Sequence, residues 1–186
     1  MRRVAARACL AILAAAFLAR AAGPRGVWLD VPFVAQKKNG CGAAALAMVM
    51  QFWEHQRAAA HASAADEAAI EAALDPQARG ISNEAMASYL RANGFQVFAF
   101  SGGWTDLRQH LSKGRPLVVA LGPGEARGPL HYVVAAGMDW VHDFVFVNDP
   151  AQRKMMRVAR KDFEDEWKAT GNWTLLAVPL QKQRLP

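Results

Sequence analysis

An uninterrupted apolar segment, residues 41–50, constrains the fold of this chain more than any other feature. It is rich in alanine, leucine and methionine, which are good helix formers, and apolar residues continue on most faces of a helix as far as Gln56. A helix that is apolar nearly all round has to be buried. We therefore predict a buried helix over residues 42–56.

The first residue of this segment, Cys41, stands where the N-terminus of the helix is expected. A thiol attacks only as a thiolate, and the helix dipole and free backbone N–H groups stabilise negative charge there. Gln36 lies five residues earlier, so its amide is a candidate second donor, beside the Cys41 N–H, for the oxyanion of acyl transfer. The pattern indicates a cysteine nucleophile. The plainer alternatives are a buried free cysteine and an ordinary loop glutamine.

A cysteine nucleophile needs a histidine as base and a polar group that orients it, both usually distant in sequence. His131 begins an apolar strand after a loop rich in glycine and proline, and Asp149 follows the next apolar strand. Antiparallel pairing would place the start of one strand beside the end of the other. Asp149 would then bind one nitrogen of His131 while the other faces Cys41. Alternatively, His131 is a core histidine, Asp149 caps its own turn, or Asn148 is the orienting group.

Three motifs in this order resemble those of the C39-type papain-like cysteine peptidases. They are Gln36 with Cys41-Gly42-Ala43-Ala44, His131-Tyr132-Val133-Val134, and Asn148-Asp149-Pro150. The resemblance implies a papain-like fold in which Gln36 lines the oxyanion hole and Cys41, His131 and Asp149 form the catalytic triad. One position departs from the pattern, because Gly40 precedes the cysteine where transporter-linked members usually carry an acidic residue. This departure puts their double-glycine leader specificity in question and leaves the triad intact.

The rest of the chain consists of helices followed mainly by strands. Further helices are predicted over residues 58–73, 83–93, 105–112 and 161–170. Strands are predicted over residues 27–34, 95–100, 116–121, 131–138, 141–148, 155–158 and 175–178. Ser82 and Gly94 are suited to cap the two ends of the third helix. N-terminal helices before a mostly antiparallel sheet, with the Cys41 helix packed on it, define an α+β fold.

The N-terminus has the pattern of an export signal. Three arginines lie within the first seven residues, eleven apolar residues follow from 8 to 18, and Ala19-Arg20-Ala21 offers small residues for cleavage. This apolar stretch is shorter than the roughly 20 residues that span a bilayer. We predict a signal peptide over residues 1–21 and one peptidase domain over 22–186, located in the periplasm or secreted, without stable membrane insertion after signal removal. An uncleaved anchor is the alternative.

Removal of the signal changes how charge and cysteine content are interpreted. The chain carries a formal charge of +6, but four of its 22 basic residues and none of its 16 acidic residues lie in the signal, which leaves 18 basic residues against 16 acidic ones. This balance gives no electrostatic footprint for nucleic acid. Cys9 leaves with the signal, so Cys41 would be the only cysteine in an oxidising compartment.

We expect neither a cofactor nor a metal site. His55 and His61 lack the four-residue spacing that places two ligands on one helix face, and His110 and His142 are expected at the surface. The expected partner is a peptide or protein substrate. Because the sequence has neither an ATPase motif nor membrane spans, we expect that it is not itself a processing exporter. Export machinery served in trans is a further candidate partner.

Together these features predict an exported thiol hydrolase that cleaves a peptide bond through an acyl-enzyme on Cys41. Two other functions remain open. A cell-wall peptide amidase or a transglutaminase-like acyl transferase uses similar residues, although a glutamine five residues before the cysteine favours the peptidase. A catalytically silent module of the same fold would bind a peptide without cutting it, and this would require a site malformed in three dimensions.

Overall fold

The computed structural model describes residues 25–58, 62–75, 77, 79–123 and 130–180. The predicted signal peptide and His61 lie outside these residues. Within them, the five α-helices are α1 (Cys41–Gln56), α2 (Glu67–Leu74), α3 (Asn83–Ala92), α4 (Trp104–Ser112) and α5 (Arg160–Lys168). The seven described strands are β1 (Gly26–Trp28), β2 (Phe95–Ser101), β3 (Leu117–Leu121), β4 (His131–Asp139), β5 (Phe144–Asn148), β6 (Met156–Ala159) and β7 (Trp173–Pro179).

The described strands form one sheet in the order β2-β7-β3-β4-β5-β6. On one side, β4 pairs with β3 at its beginning and with β1 at its end, and on the other side it pairs with β5. Every pairing among the described strands is antiparallel. The predicted α+β class is confirmed.

Helices cover both faces of this sheet. Side chains alternate between the faces along each strand, so neighbouring residues of β3 enter different cores. Val118 and Ala120 pack with residues of α1, α2 and α3, whereas Val119 and Leu121 pack with residues of α4 and α5. All five residues of β3 are buried as a result.

The apolar segment over residues 41–50 lies in α1, which packs against β4. Ten of its sixteen residues are buried, and they include an unbroken run from Gly42 to Met50. The predicted burial of this helix is therefore confirmed. Gly42 packs closely at its start: a Cβ there would lie 3.2 Å from the Ile81 side chain, which would have to shift slightly to make room for it.

The strand predicted over residues 27–34 is shorter in the structure, where β1 ends at Trp28. The backbone N–H of Leu29 still donates to the Ala136 carbonyl at 2.8 Å, but Pro32 has no N–H to continue a ladder. The strand predicted from residue 141 begins at Phe144, because the preceding residues turn around Asp139.

The helix predicted over residues 58–73 does not form as one unit. Ala58 has a positive φ of 48°, a short 3₁₀ turn covers Ser63–Ala65, and α2 begins only after Asp66. Alanine content alone gave no boundary here, since alanine is favourable at every position of a helix. The other predicted helices and strands agree with the structure to within two residues at each end.

Candidate active site

Cys41 is the first residue of α1, and Gly40 precedes it as the N-cap residue. No side chain caps this end of the helix, so its backbone N–H groups remain available for negative charge. The backbone N–H groups of Gly42 and Tyr132 both hydrogen-bond the Cys41 sulfur. The thiol is free and partly exposed, so it is accessible to a substrate.

The pairing of β4 with β5 places His131 beside Asp149. His131 is the first residue of β4, and Asp149 directly follows the last residue of β5. His131 Nε2 lies 2.7 Å from Asp149 Oδ1. Because Nε2 is engaged there, the hydrogen bond between the His131 side chain and Cys41 uses the other ring nitrogen, Nδ1. The structure thus brings these three residues together, and their catalytic roles stay predictions.

Two further groups, which the sequence analysis missed, hold the carboxylate of Asp149. The backbone N–H of Ala151 donates to Oδ1 at 2.9 Å, and the Gln152 side-chain amide donates to Oδ2 at 2.7 Å. The only sequence signal for them is that both residues closely follow Asp149. With His131 included, this carboxylate makes three hydrogen bonds and is 7% exposed.

Asn148, the alternative orienting residue, is committed elsewhere. Its amide donates to the Val31 carbonyl at 3.2 Å, and its Oδ1 accepts from the Met155 backbone N–H at 2.9 Å. The residue is completely buried. It therefore ties the segment before Gln36 to the end of β5, and among the described residues its side chain has no hydrogen bond to His131.

Gln36 lines the same cleft as Cys41 and His131. Its backbone N–H donates to the Pro150 carbonyl at 2.9 Å, which joins the glutamine loop to the turn that follows Asp149. Its Oε1 is buried and accepts no hydrogen bond from the described residues. The structure thus places Gln36 at the site, held through its backbone.

Burial and hydrogen bonding act in opposite directions on the ionisation of these groups. Burial disfavours the thiolate of Cys41, but the hydrogen bond from His131, the two backbone N–H groups and the positive imidazolium outweigh it, so the pKa of Cys41 is lowered. Burial also disfavours the imidazolium of His131, but Asp149 and Cys41 raise its pKa to about 9. The pKa of Asp149 is lowered despite its burial, chiefly through its bond to His131. These shifts favour a thiolate–imidazolium pair.

An open cleft of about 870 Å³ lies beside these residues. One wall is the segment 79–84, and the other includes Leu130, His131 and Tyr132. The Tyr132 hydroxyl joins the two walls by donating to Asn83 Oδ1 at 2.5 Å. The carboxylate of Asp75 holds the start of the first wall by accepting from the N–H groups of residues 79 and 80. The sequence analysis did not predict this wall of the cleft.

The remaining described histidines lie away from the cleft. His55 and His142 are exposed, and His142 bonds Asp139 at 2.7 Å. His110 is half-exposed: the centre of its ring lies 6.0 Å from that of Phe100, and its buried Nδ1 has no hydrogen-bond partner among the described residues. In the described part of the chain, no three His, Cys, Asp or Glu residues are grouped to hold a metal ion, and no helix has the length and apolar character needed to cross a membrane.

The fold is the α+β papain-like fold, and sequence comparison gives the family. Residues 28–175 match the model of the Peptidase_C39 like family. The chain therefore belongs to this family. None of the curated proteins compared with the chain matches it in sequence.

Three solved structures resemble this one in fold. A candidate C39-like peptidase from Bacillus anthracis is 18% identical over 86% of this chain and 100% of its own, with a TM-score of 0.66. A double glycine motif protease from an AMS/PCAT transporter, in complex with the leader peptide, is 19% identical over 84% of this chain and 99% of its own, with a TM-score of 0.62. Xylellain, a cysteine protease from Xylella fastidiosa, is 12% identical over 87% of this chain and 88% of its own, with a TM-score of 0.54.

Proposed function

We propose that this protein is an exported cysteine peptidase that hydrolyses peptide bonds through an acyl-enzyme on Cys41. The observation that carries the proposal is the continuous hydrogen-bonded chain from Cys41 through His131 to Asp149 at the edge of an open cleft. Membership of a peptidase family supports the same reaction class. Export rests on the N-terminal sequence pattern alone.

In the first half of the proposed reaction, the Cys41 thiolate attacks the carbonyl carbon of the substrate. The new C–S bond forms as the carbonyl electrons move onto oxygen, and the Cys41 N–H and the Gln36 side-chain amide donate to the resulting oxyanion. Collapse of this intermediate breaks the C–N bond. The leaving amine takes the proton that His131 carries on Nδ1.

In the second half, neutral His131 accepts a proton from water, and the oxygen of that water attacks the thioester carbon. Collapse of this second intermediate breaks the C–S bond and releases the carboxylic acid product. The thiolate–imidazolium pair is restored. Throughout, Asp149 fixes the orientation of the ring and stabilises its protonated form, because it accepts from Nε2 at 2.7 Å.

The proposed substrate is an extended peptide or protein segment lying in the open cleft beside Cys41 and His131, which segment 79–84 and Leu130 also line. The double glycine motif protease binds its leader peptide on the same fold, which supports a peptide ligand. Gly40 argues against carrying leader specificity over to this chain. A partner that presents the peptide in trans, such as export machinery, is part of the proposal.

The test compares wild type with Cys41→Ala on two substrates, unfolded polypeptides and peptidoglycan fragments. We expect new peptide termini from the polypeptides with wild type only, and an intact mass that reveals a transient acyl adduct on Cys41. Cleavage restricted to peptidoglycan fragments would replace the proposal with a cell-wall amidase. Capture of peptides by both proteins, without cleavage, would replace it with a binding module.

Export is tested separately, by N-terminal sequencing of the protein from cell fractions. A first residue near position 22 in the periplasmic or extracellular fraction is the expected result. An intact Met1 in the membrane fraction would contradict cleavage and indicate an anchor.

A further inference from the structure

Glu67, the first residue of α2, is a buried carboxylate beside the loop that joins Gln36 to Cys41. Its Oε1 accepts from the Lys37 backbone N–H at 3.3 Å, and its Oε2 lies 3.3 Å from Lys37 Nζ. The Glu67 side chain is 8% exposed, whereas that of Lys37 is 62% exposed. Burial of a carboxylate costs free energy unless it is hydrogen-bonded and paired. The contacts with Lys37 meet that requirement and fix Glu67 against the loop.

The same carboxylate also closes the space beside Gly40. A Cβ on Gly40 would lie 3.2 Å from Glu67 Oε1. The N–H of Gly40 donates to the Lys37 carbonyl at 3.0 Å, which closes a turn over residues 37–40 with Asn39 at a φ of +58°. Glu67 therefore bonds the first residue of the turn and lies beside the last. This turn is the whole covalent connection between Gln36 and Cys41.

We propose that Glu67 is a positioning residue for the oxyanion hole. It holds the turn over residues 37–40 so that the Gln36 amide and the Cys41 backbone N–H converge on one point in the cleft. The inference rests on the proposed function, because an oxyanion forms only if Cys41 attacks a carbonyl. The carboxylate reaches the residue before Cys41 from α2, since its Oε1 lies 3.2 Å from where a Cβ on Gly40 would be.

The positioning role predicts an effect on one kind of reaction and not on another. Oxyanion donors act through preorganisation, and a displacement of about 1 Å costs on the order of 10²-fold in rate. The thiolate itself depends on His131 and on the N–H groups of Gly42 and Tyr132. Among the described residues, Glu67 has no hydrogen bond to any of these groups. Its loss should therefore leave the thiolate unchanged and weaken the oxyanion hole.

The test measures two reactions of Cys41 in wild type and Glu67→Ala. Alkylation by iodoacetamide forms no oxyanion and reports the thiolate. Acylation by p-nitrophenyl acetate forms a C–S bond, passes through an oxyanion and releases p-nitrophenolate, and Cys41→Ala gives the background. We expect acylation of Glu67→Ala to fall about 10- to 100-fold while alkylation stays within about twofold. Glu71→Ala, one turn further along α2, is the matched control and should leave both rates unchanged.

Glu67→Gln distinguishes positioning from general support of the fold. Its amide oxygen can still accept from the Lys37 N–H, so acylation should remain within a few-fold of wild type. Equal losses of alkylation and acylation in Glu67→Ala, or acylation as poor in Glu67→Gln as in Glu67→Ala, would overturn the inference.

Hydrogen exchange separates the failure of this inference from failure of the proposed function. Glu67→Ala should speed exchange of the amides in residues 37–40 and leave that of α1 unchanged, and unchanged exchange in residues 37–40 would overturn the inference. Absence of any Cys41-dependent acylation in wild type would instead overturn the proposed function, and the oxyanion role of Glu67 with it.

Discussion

The two halves of the site are held in different ways. His131 and Asp149 form the sheet half: the first lies within β4, the second directly follows β5, and the carboxylate makes three hydrogen bonds. Gln36 and the turn over residues 37–40 form the loop half, in which no regular element holds the glutamine. Contacts with distant residues that hold it include the backbone bond from Gln36 to Pro150 and the bond from Lys37 to the side chain of Glu67.

This difference teaches how each half obtains its geometry. Strand register fixes the sheet half, because pairing Val134 with Asn148 leaves His131 and Asp149 at the same end of two adjacent strands. The loop half depends on individual contacts with distant residues. We therefore expect substitutions in the sheet half to change the chemistry directly, and substitutions in the loop half to change mainly how well the oxyanion is bound.

The largest effect is expected for His131→Ala, which breaks the sheet half. The variant loses the proton carrier and the positive charge that lowers the pKa of Cys41. Loss of a residue of this type lowers turnover by on the order of 10⁴-fold or more. The measurement is kcat and KM for one cleaved peptide, with thermal unfolding alongside.

His142→Ala is the matched control and should retain full activity, since His142 is an exposed histidine whose ring bonds the nearby carboxylate of Asp139. Turnover of His131→Ala close to that of wild type would contradict the assignment.

A smaller effect is expected for Gln36→Ala, which breaks the loop half. Its amide would donate a bond that strengthens only in the transition state, so kcat should fall by on the order of 10² to 10³ with KM nearly unchanged. Gln36→Glu should be at least as poor, because it places a carboxylate beside a developing anion. The melting temperature should change little, since Gln36 Oε1 accepts no hydrogen bond from the described residues that the substitution would remove. Unchanged kcat in a folded Gln36→Ala would remove this residue from the oxyanion hole.

The smallest effect is expected for Gln152→Ala, which sharpens the comparison within the sheet half. The variant removes one of three hydrogen bonds to Asp149 and leaves those from Ala151 and His131. A hydrogen bond from a neutral amide to a charged carboxylate contributes about 1.5–3 kcal/mol. Because Gln152 is exposed, water can take the place of its amide and restore part of that free energy. Turnover should therefore fall only several-fold. A loss as large as that of His131→Ala would show that the carboxylate depends on the Gln152 amide far more than its three bonds suggest.

Much of the fold could be predicted because local pattern and tertiary structure agree. The apolar run that begins at Cys41 forms the buried helix α1, and the short apolar or alternating segments form β2 to β7. Failures came where the local signal carried no boundary. Alanine-rich residues 58–73 are favourable to a helix throughout, so only the extended conformation at Asp66 defines where α2 starts.

The site was predictable to the extent that its residue types are chemically distinctive. A cysteine at a predicted helix start and a histidine at a predicted strand start can be recognised from the sequence. Gln152 and Glu67 cannot, because their contacts with Asp149 and Lys37 follow no sequence pattern. Asp75 and the cleft wall it holds belong to the same class. For His110, the polar sequence of α4 gave no sign of the contact with Phe100 on the preceding strand, β2.

The account depends above all on an ionised Cys41 paired with His131. Thiolate reactivity should persist below the pH range of a free cysteine, because the pKa of Cys41 is lowered, and hydrolysis should decline again above about pH 9, where His131 loses the proton that the leaving amine requires. Alkylation needs no such proton and should not decline there.

The most direct measurement is therefore the rate of Cys41 alkylation by iodoacetamide as a function of pH, in wild type and in His131→Ala. The account predicts a wild-type midpoint below the value of about 8.5 for free cysteine, and a higher midpoint in His131→Ala, where burial acts without the imidazolium to oppose it. A wild-type midpoint at or above about 8.5, or the same midpoint in both proteins, would contradict the thiolate–imidazolium pair and with it the proposed peptidase mechanism.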